Sequence, residues 1–424
     1  MKAKSGKKII TLAYLFLIIL GIVALSTLGI LGIETAGRNI PQQDLIADYF
    51  TALAWAIALA LSILFWPVPT RHKRVLSIVW LAKIFVTLGV MLFYEYNYGL
   101  DAYNYFYSAK TGDFAWQDFE FGVGTPNMIN LARLHQYFIA DSYHALKVTS
   151  AMVGMIAIYI FYRAAVLFLK REEIQIFYVL ALYPTILFWS SILGKDPIML
   201  IGVALYVYGV VGWENSGKLQ YLLWGALGVW IASFIRLWYA PILLAPLAVF
   251  FVLGKRNFFV KIAFIGIIIT AFLFSFSLFA ERFSIETTQD VVSTTGTISE
   301  NFSTGGSGQE IEGGFSGISS MLLFAPLGIF TAFFRPLLAE VLNPFGMIAG
   351  LENSVLLFFF ILAIKRTKLK ELKEPLIAWA IALVIIWGIV YGPVSYGNLG
   401  TAVRYKLQVL PILLGLSLYL SRIR

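Results

Sequence analysis

The sequence predicts an all-α, polytopic membrane protein, and three observations carry that prediction. The 424-residue chain is 59% hydrophobic and 13% charged, with mean hydropathy +0.81, more apolar surface than a soluble domain of this length hides. The apolar residues form repeated continuous runs of roughly 20 residues, the length a helix needs to cross a hydrocarbon core ~30 Å thick. The basic residues are sorted between alternate connections. Backbone groups in lipid must be paired internally, so each run is read as a helix. A β-barrel would alternate apolar and polar residues along ~10-residue strands, and these runs do not.

The first run, 9–33, follows Lys2, Lys4, Lys7 and Lys8. It is longer than a signal-peptide core and lacks a small-residue cleavage site, so it reads as an uncleaved span with a cytoplasmic N-terminus. Further spans are expected at 48–67, 75–94, 147–169, 175–193, 197–213, 219–235, 239–253 and 258–280, then at 346–364, 375–392 and 405–421. About twelve spans leave Arg71–Arg74, Lys170-Arg171, Lys218, Lys255-Arg256, Lys365–Lys373 and the C-terminal Arg422 and Arg424 on the inner side. Of the 32 Lys and Arg, 20 then lie inside, 10 outside and two, Lys83 and Arg163, within spans; of the 23 Asp and Glu, 18 lie on the outer side and five inside. The net charge of +9 is therefore an orientation signal and not a nucleic-acid surface.

One apolar segment, 317–334, is left over, and counting it as a span would put Lys365–Lys373 outside. The stretch 317–345 accordingly reads as a re-entrant or broken element, tolerated where it is buried in protein or lines a cavity. Two outer loops are long. Residues 95–146 carry aromatics and acids, and 281–316 are rich in Ser, Thr and Gly, reading as a flexible segment or lid. No repeat and no separate soluble domain is evident, so 1–424 is one integral membrane domain.

The chain has no cysteine, which removes disulfides, thiol nucleophiles and thiolate metal sites. His72, His135 and His144 make no HExxH, and P-loop, GxGxxG and nucleophile-elbow patterns are missing. The chemistry-bearing residues gather at the outer ends of spans. Asp101 lies among Tyr98, Tyr103 and Tyr105, where a carboxylate serves as a general base or binds a sugar hydroxyl; an interfacial aromatic belt is the plainer account. Asp196 before Pro197 looks like a helix cap, which leaves Lys195 on the outer side unexplained. Arg236 sits between two short spans near the hydrocarbon, facing a cavity or snorkelling. Arg335 and Glu340 lie on the irregular segment, where they either pair or line a cavity. Arg404 precedes the closing span, at an expected helix N-terminus where the helix dipole disfavours a cation by ~0.3–1 kcal/mol. Outer cations suit a lipid phosphate, which arginine binds bidentately.

At Asp101-Ala-Tyr103-Asn-Tyr105, Gly194-Lys195-Asp196, Arg335-Pro336 with Glu340, and Arg404, the chain resembles bacterial polytopic polysaccharide polymerases of the O-antigen and exopolysaccharide type. More broadly it resembles the GT-C-like membrane glycosyltransferases. The resemblance implies a saccharide donor linked to undecaprenyl diphosphate, chemistry on the outer face, and a place in the bacterial cytoplasmic membrane with both termini inside. It implies catalytic roles for Asp101, Arg335, Glu340 and Arg404 and substrate binding by Tyr103, Tyr105, Lys195, Asp196 and Arg236. Partners would be lipid-linked saccharide, membrane lipid and polysaccharide-assembly proteins. Many metal-using GT-C enzymes carry paired acids in the first outer loop. Asp101 has no acidic neighbour, so no cofactor is expected, with Asp113, Asp118 and Glu120 as the additional oxygen ligands should a divalent ion be required. A transporter or flippase of lipid-linked oligosaccharide is the alternative from another class. An O-antigen ligase or a monophosphate-donor transferase is the third.

Overall fold

The computed structural model describes residues 13–23, 32–33, 35–37, 39–40, 42–139, 141–254, 257–303, 308–309, 311 and 314–423. Most of the expected first span, its preceding lysines, Lys255-Arg256 and Arg424 lie outside the described residues. Among the described residues the protein is all-α, with no β-strand and one isolated bridge between Gly308 and Asn398.

Among the described residues seven helices are long and apolar enough to cross a membrane, as befits a membrane protein: α2 (Leu45–Phe65), α3 (Thr70–Asn97), α6 (Tyr143–Leu169), α9 (Lys195–Ser216), α12 (Phe258–Arg282), α15 (Pro344–Arg366) and α16 (Pro375–Gly397). Shorter apolar helices are α1 (Ala13–Val23), α10 (Leu219–Ile235), α11 (Tyr239–Leu253) and α14 (Ile318–Phe334). Two runs expected as single spans are broken. The run 175–193 divides into α7 (Ile174–Leu182) and α8 (Pro184–Trp189), because Pro184 drives Tyr183 out of helical geometry to ψ 124°. The run 405–421 divides into α17 (Leu399–Gln408) and α18 (Leu410–Ser421), bent by 75° at Val409 just before Pro411. Twelve residues of α18 make about 18 Å of helix, well short of a hydrocarbon core.

The chain forms two compact units, Met1–Tyr208 and Gly209–Arg424, meeting within α9. In the first, α2 packs along α6, with Trp55 donating to Thr149 Oγ1 at 2.8 Å. Residues Phe85–Val90 of α3 widen into a π-helical stretch, and the Tyr49 hydroxyl donates to the carbonyl of Leu88 there, at 2.7 Å. The connection between α3 and α6 is ordered by α4 (Asp101–Ala109) and α5 (Gly124–Phe138), which pack together. The amide of Asn127 donates to Glu120 O at 2.6 Å and accepts from Glu120 N at 3.0 Å, pinning the intervening turn.

In the second unit, α14 runs antiparallel to α16: Phe324 meets Tyr396, Gly328 meets Gly392, and Phe333 meets Trp387 and Gly388. A Cβ on Gly392 would stand 3.0 Å from the Gly328 backbone, so glycine at both positions sets the close approach. The helix α14 therefore ends level with the middle of α16. The chain then turns back beside α15, where Gly350 lies against Leu337 and the Asn353 amide donates to Pro336 O at 2.9 Å. From there it rises to the start of α15, so entry and exit are at the same end.

Candidate functional site

Of the nominated residues in the first unit, Asp101 opens α4 and is exposed. Tyr103 is half-buried and its hydroxyl donates to Glu95 O at 3.4 Å; burial, with Glu95 beside it, pushes its ionisation up. Tyr105 is buried, and the Lys195 ammonium lies 5.9 Å from its ring centroid while donating to Thr125 Oγ1 at 2.9 Å. Tyr105, Thr125 and Lys195 thus come together from α4, α5 and α9. Asp196 is fully buried in the first turn of α9, which begins two residues earlier than the cap reading expects. An acid there still complements the positive end of the helix.

In the second unit Arg236 ends α10 and is buried among aromatics. It donates to the Tyr391 hydroxyl at 2.9 Å, and its guanidinium carbon lies 4.2 Å from the Tyr405 centroid and 5.9 Å from that of Trp238. Trp238 donates to the same Tyr391 hydroxyl at 3.0 Å. Tyr391 stacks on Trp387 at 4.6 Å, and Trp387 donates to Tyr239 at 2.9 Å, whose hydroxyl donates to Gln408. A desolvated guanidinium held by ring faces and phenols continues into a polar layer beneath.

Arg335 and Glu340 pair with each other. Arg335 Nε donates to Glu340 Oε1 at 2.6 Å and Nη1 to Gln309 Oε1 at 3.2 Å, while Leu337 N donates to Glu340 Oε2 at 2.7 Å. Burial opposes ionisation of Glu340, yet the hydrogen bonds from Arg335 and Leu337 hold its carboxyl below the usual range. Gln309 N donates to Gly397 O at 2.8 Å, so this pair stands beside the C-terminal end of α16. Arg404 does not sit at a helix N-terminus. Asn398 caps that end through Thr401 N, and Arg404 falls in the last turn of the Leu399–Tyr405 segment, where a cation suits the dipole. The break at Val409 causes this reversal, because it ends one helix where the sequence suggests that one begins.

Sequence reasoning gave no role to three fully buried lysines, of which it noted only Lys83 as lying within a span. In the second unit Lys406 donates to Asn353 and lies 3.8 Å from Glu352. In the first, Lys147 pairs with Glu95, and Lys83 donates to Ser190 O, Ser190 Oγ and Ser191 Oγ at 2.8, 2.6 and 2.9 Å. Their signal was available as ionisable residues within apolar runs. Among the described residues no group of three or more His, Asp or Glu is gathered closely enough to hold a metal ion. Comparison with protein families, with curated proteins and with solved structures finds no match.

Proposed function

We propose that this protein is a membrane glycosyltransferase of the polysaccharide-polymerase type, using a saccharide donor carried on a polyprenyl phosphate or diphosphate at the extracytoplasmic face. The observation that carries the reading is the buried Arg236 within Tyr391, Tyr405 and Trp238. Ring faces suit a sugar, and a desolvated guanidinium suits the phosphate that leaves. In the reaction an acceptor hydroxyl oxygen attacks the anomeric carbon, the bond from that carbon to the phosphate oxygen breaks, and the lipid phosphate departs with the electron pair. The hydroxyl proton is released to water, and Arg236, Arg335 and Arg404 of the second unit stabilise the phosphates. Glu340 orients Arg335. No cofactor is assigned. The reading includes about twelve spans in a GT-C-like bundle, a re-entrant element at 317–345, and cytoplasmic termini in a bacterial inner membrane. The turn-back of α14 and the charge sorting support it.

Incubation of the purified protein with lipid-linked repeat units tests the reading. Chain extension with release of lipid phosphate is expected. Arg236→Ala and Arg404→Ala should abolish it at equal membrane abundance, with Arg404→Lys a partial rescue. Full activity in both alanine variants would overturn the phosphate-binding assignment.

A second reading, translocation of lipid-linked oligosaccharide, is favoured by one observation: the break at Val409 stands beside buried Lys406, Glu352 and Gln408. Discontinuous helices with ionisable residues are a transporter feature. Transbilayer movement of the lipid-linked saccharide in proteoliposomes, without bond cleavage, would select it.

A further inference from the structure

A group of buried ionisable residues of the first unit, with no part in the transfer chemistry above, forms one connected cluster. Asp48 and Tyr49 come from α2 and Glu95 from α3. Tyr143, His144 and Lys147 come from the first turns of α6. Asp48 is 5% exposed and Glu95 3%, and His144 and Lys147 are fully enclosed. Glu95 is fully served: Tyr143 donates to one carboxylate oxygen at 2.8 Å and Lys147 to the other at 2.6 Å. Glu95 and Lys147 thus form a closed ion pair.

Asp48 and His144 are not served in this way. His144 Nε2 lies 3.8 Å from Asp48 Oδ2, beyond hydrogen-bonding distance. Both imidazole nitrogens and Asp48 Oδ1 are buried without a hydrogen-bond partner. Orphaned polar atoms in a dry site are costly, and an approach of roughly 0.6–1 Å with one proton on Nε2 joins the two groups. The Tyr49 ring meets the imidazole edge-on at 5.3 Å and the Tyr143 ring at 5.4 Å, holding its plane. The cluster lies close to the start of α6, where the exposed Asp141 pairs with Lys110 at 3.1 Å and the adjacent, buried Ser142 hydroxyl donates to the Asp48 backbone carbonyl at 3.2 Å.

We propose that Asp48 and His144 are a proton-binding site of the first unit, taking up one proton and sharing it between carboxylate and imidazole, with the Glu95–Lys147 pair as its fixed electrostatic neighbour. The site serves any proton-linked step of this chain and does not depend on a saccharide substrate.

The test uses the full-length protein in lipid nanodiscs, labelled with 15N at its three histidines. His144 signals, assigned by difference with His144→Gln, are followed from about pH 5 to 9, together with the carboxylic-acid infrared band. A single-proton transition at His144 is expected. Asp48→Asn should remove it, Asp48→Glu should retain it at a displaced midpoint, and Glu95→Gln should displace it by about one unit. An imidazole in one unchanging state across the range overturns the proposal. So does a transition indifferent to Asp48→Asn. If Asp48→Asn does not fold, the unmodified protein and Asp48→Glu still decide. Failure here leaves the glycosyltransferase reading standing, because no lipid-linked saccharide is present.

Discussion

A Cβ on Gly154 would stand 2.0 Å from the carbonyl oxygen of Ser190, a backbone atom that cannot rotate away. Gly154 thereby lets α6 approach the end of α8, where Ser190 and Ser191 receive the Lys83 ammonium. Gly154→Ala should destabilise the protein by about 1–3 kcal/mol or more through overpacking. Gly266→Ala in α12, where nothing lies within 4 Å of the added carbon, should be neutral or stabilising by up to about 1 kcal/mol. Thermal unfolding of the two purified variants separates these outcomes; equal midpoints would refute the close contact. Glu340 supplies a pH test at the same scale. Its carboxyl is held below the ordinary value of 4.5, so the pair with Arg335 contributes fully above that value and is lost as pH falls through the lowered one. Glu340→Gln should lower stability near pH 7 by about 1–3 kcal/mol, and its gap to the unmodified protein should close as pH falls through the lowered range of the Glu340 carboxyl. A gap independent of pH would mean that the carboxylate charge is not what holds Arg335.

Helix α13 (Thr288–Phe302) occupies much of the outer loop that reads as flexible from its Ser, Thr and Gly content. Its capping box, Thr287 with Asp290, lay in the sequence as a Thr-x-x-Asp signature. The β-branched residues Val291, Val292 and Ile298 masked the helix behind it. Tertiary contact supplies the rest: Ser299 Oγ donates to Pro393 O at 3.0 Å, and the Phe302 ring lies 6.0 Å from Tyr405. The helix thus covers the ring that stacks on Arg236. Hydrogen bonds from the Thr287 amide and hydroxyl and from the Glu286 amide hold the Asp290 carboxyl below its ordinary value of 3.8. The cap is complete above that value and fails as pH falls through the lowered one. Asp290→Ala should speed amide exchange across 288–302 at neutral pH, and the difference should vanish in strong acid; no difference at neutral pH would deny the cap. Long apolar runs were legible because length alone defines them. The breaks at 183 and 409 were less so, although Pro184 and Pro411 mark both. Whether proline kinks, starts or ends a helix depends on which neighbours satisfy the freed backbone groups. The pairing of Arg335 with Glu340 was legible in spacing, while the meeting of Arg236 with Tyr391, 155 residues away, was not.

For the molecule as a whole, apolar content and the sorting of basic residues predicted a membrane-spanning all-α chain, and the long apolar helices support that class. Orientation rests on charge alone. The inner assignment of 365–373 has a structural companion: Arg366 donates to Ser421 O, and Arg422 pairs with Glu371 at 3.0 Å, so this loop and the C-terminal segment lie at the same end of the second unit. One orientation therefore moves them together. The cysteine-free chain makes the test direct. Ser108→Cys in α4, Ser303→Cys just after α13, and Thr367→Cys after α15 are each introduced singly, and intact cells are treated with a membrane-impermeant thiol reagent. Ser108→Cys and Ser303→Cys should label in intact cells, and Thr367→Cys only after the membrane is opened. Labelling of Thr367→Cys alone would invert the whole molecule, carrying the Arg236 layer and the α14 hairpin to the cytoplasmic side. Labelling of Thr367→Cys together with Ser303→Cys would place both ends of 317–366 outside. That outcome turns α14 and α15 into a full pair of spans, crossing inward and back, and sets the positive-inside rule aside at the most basic loop in the chain.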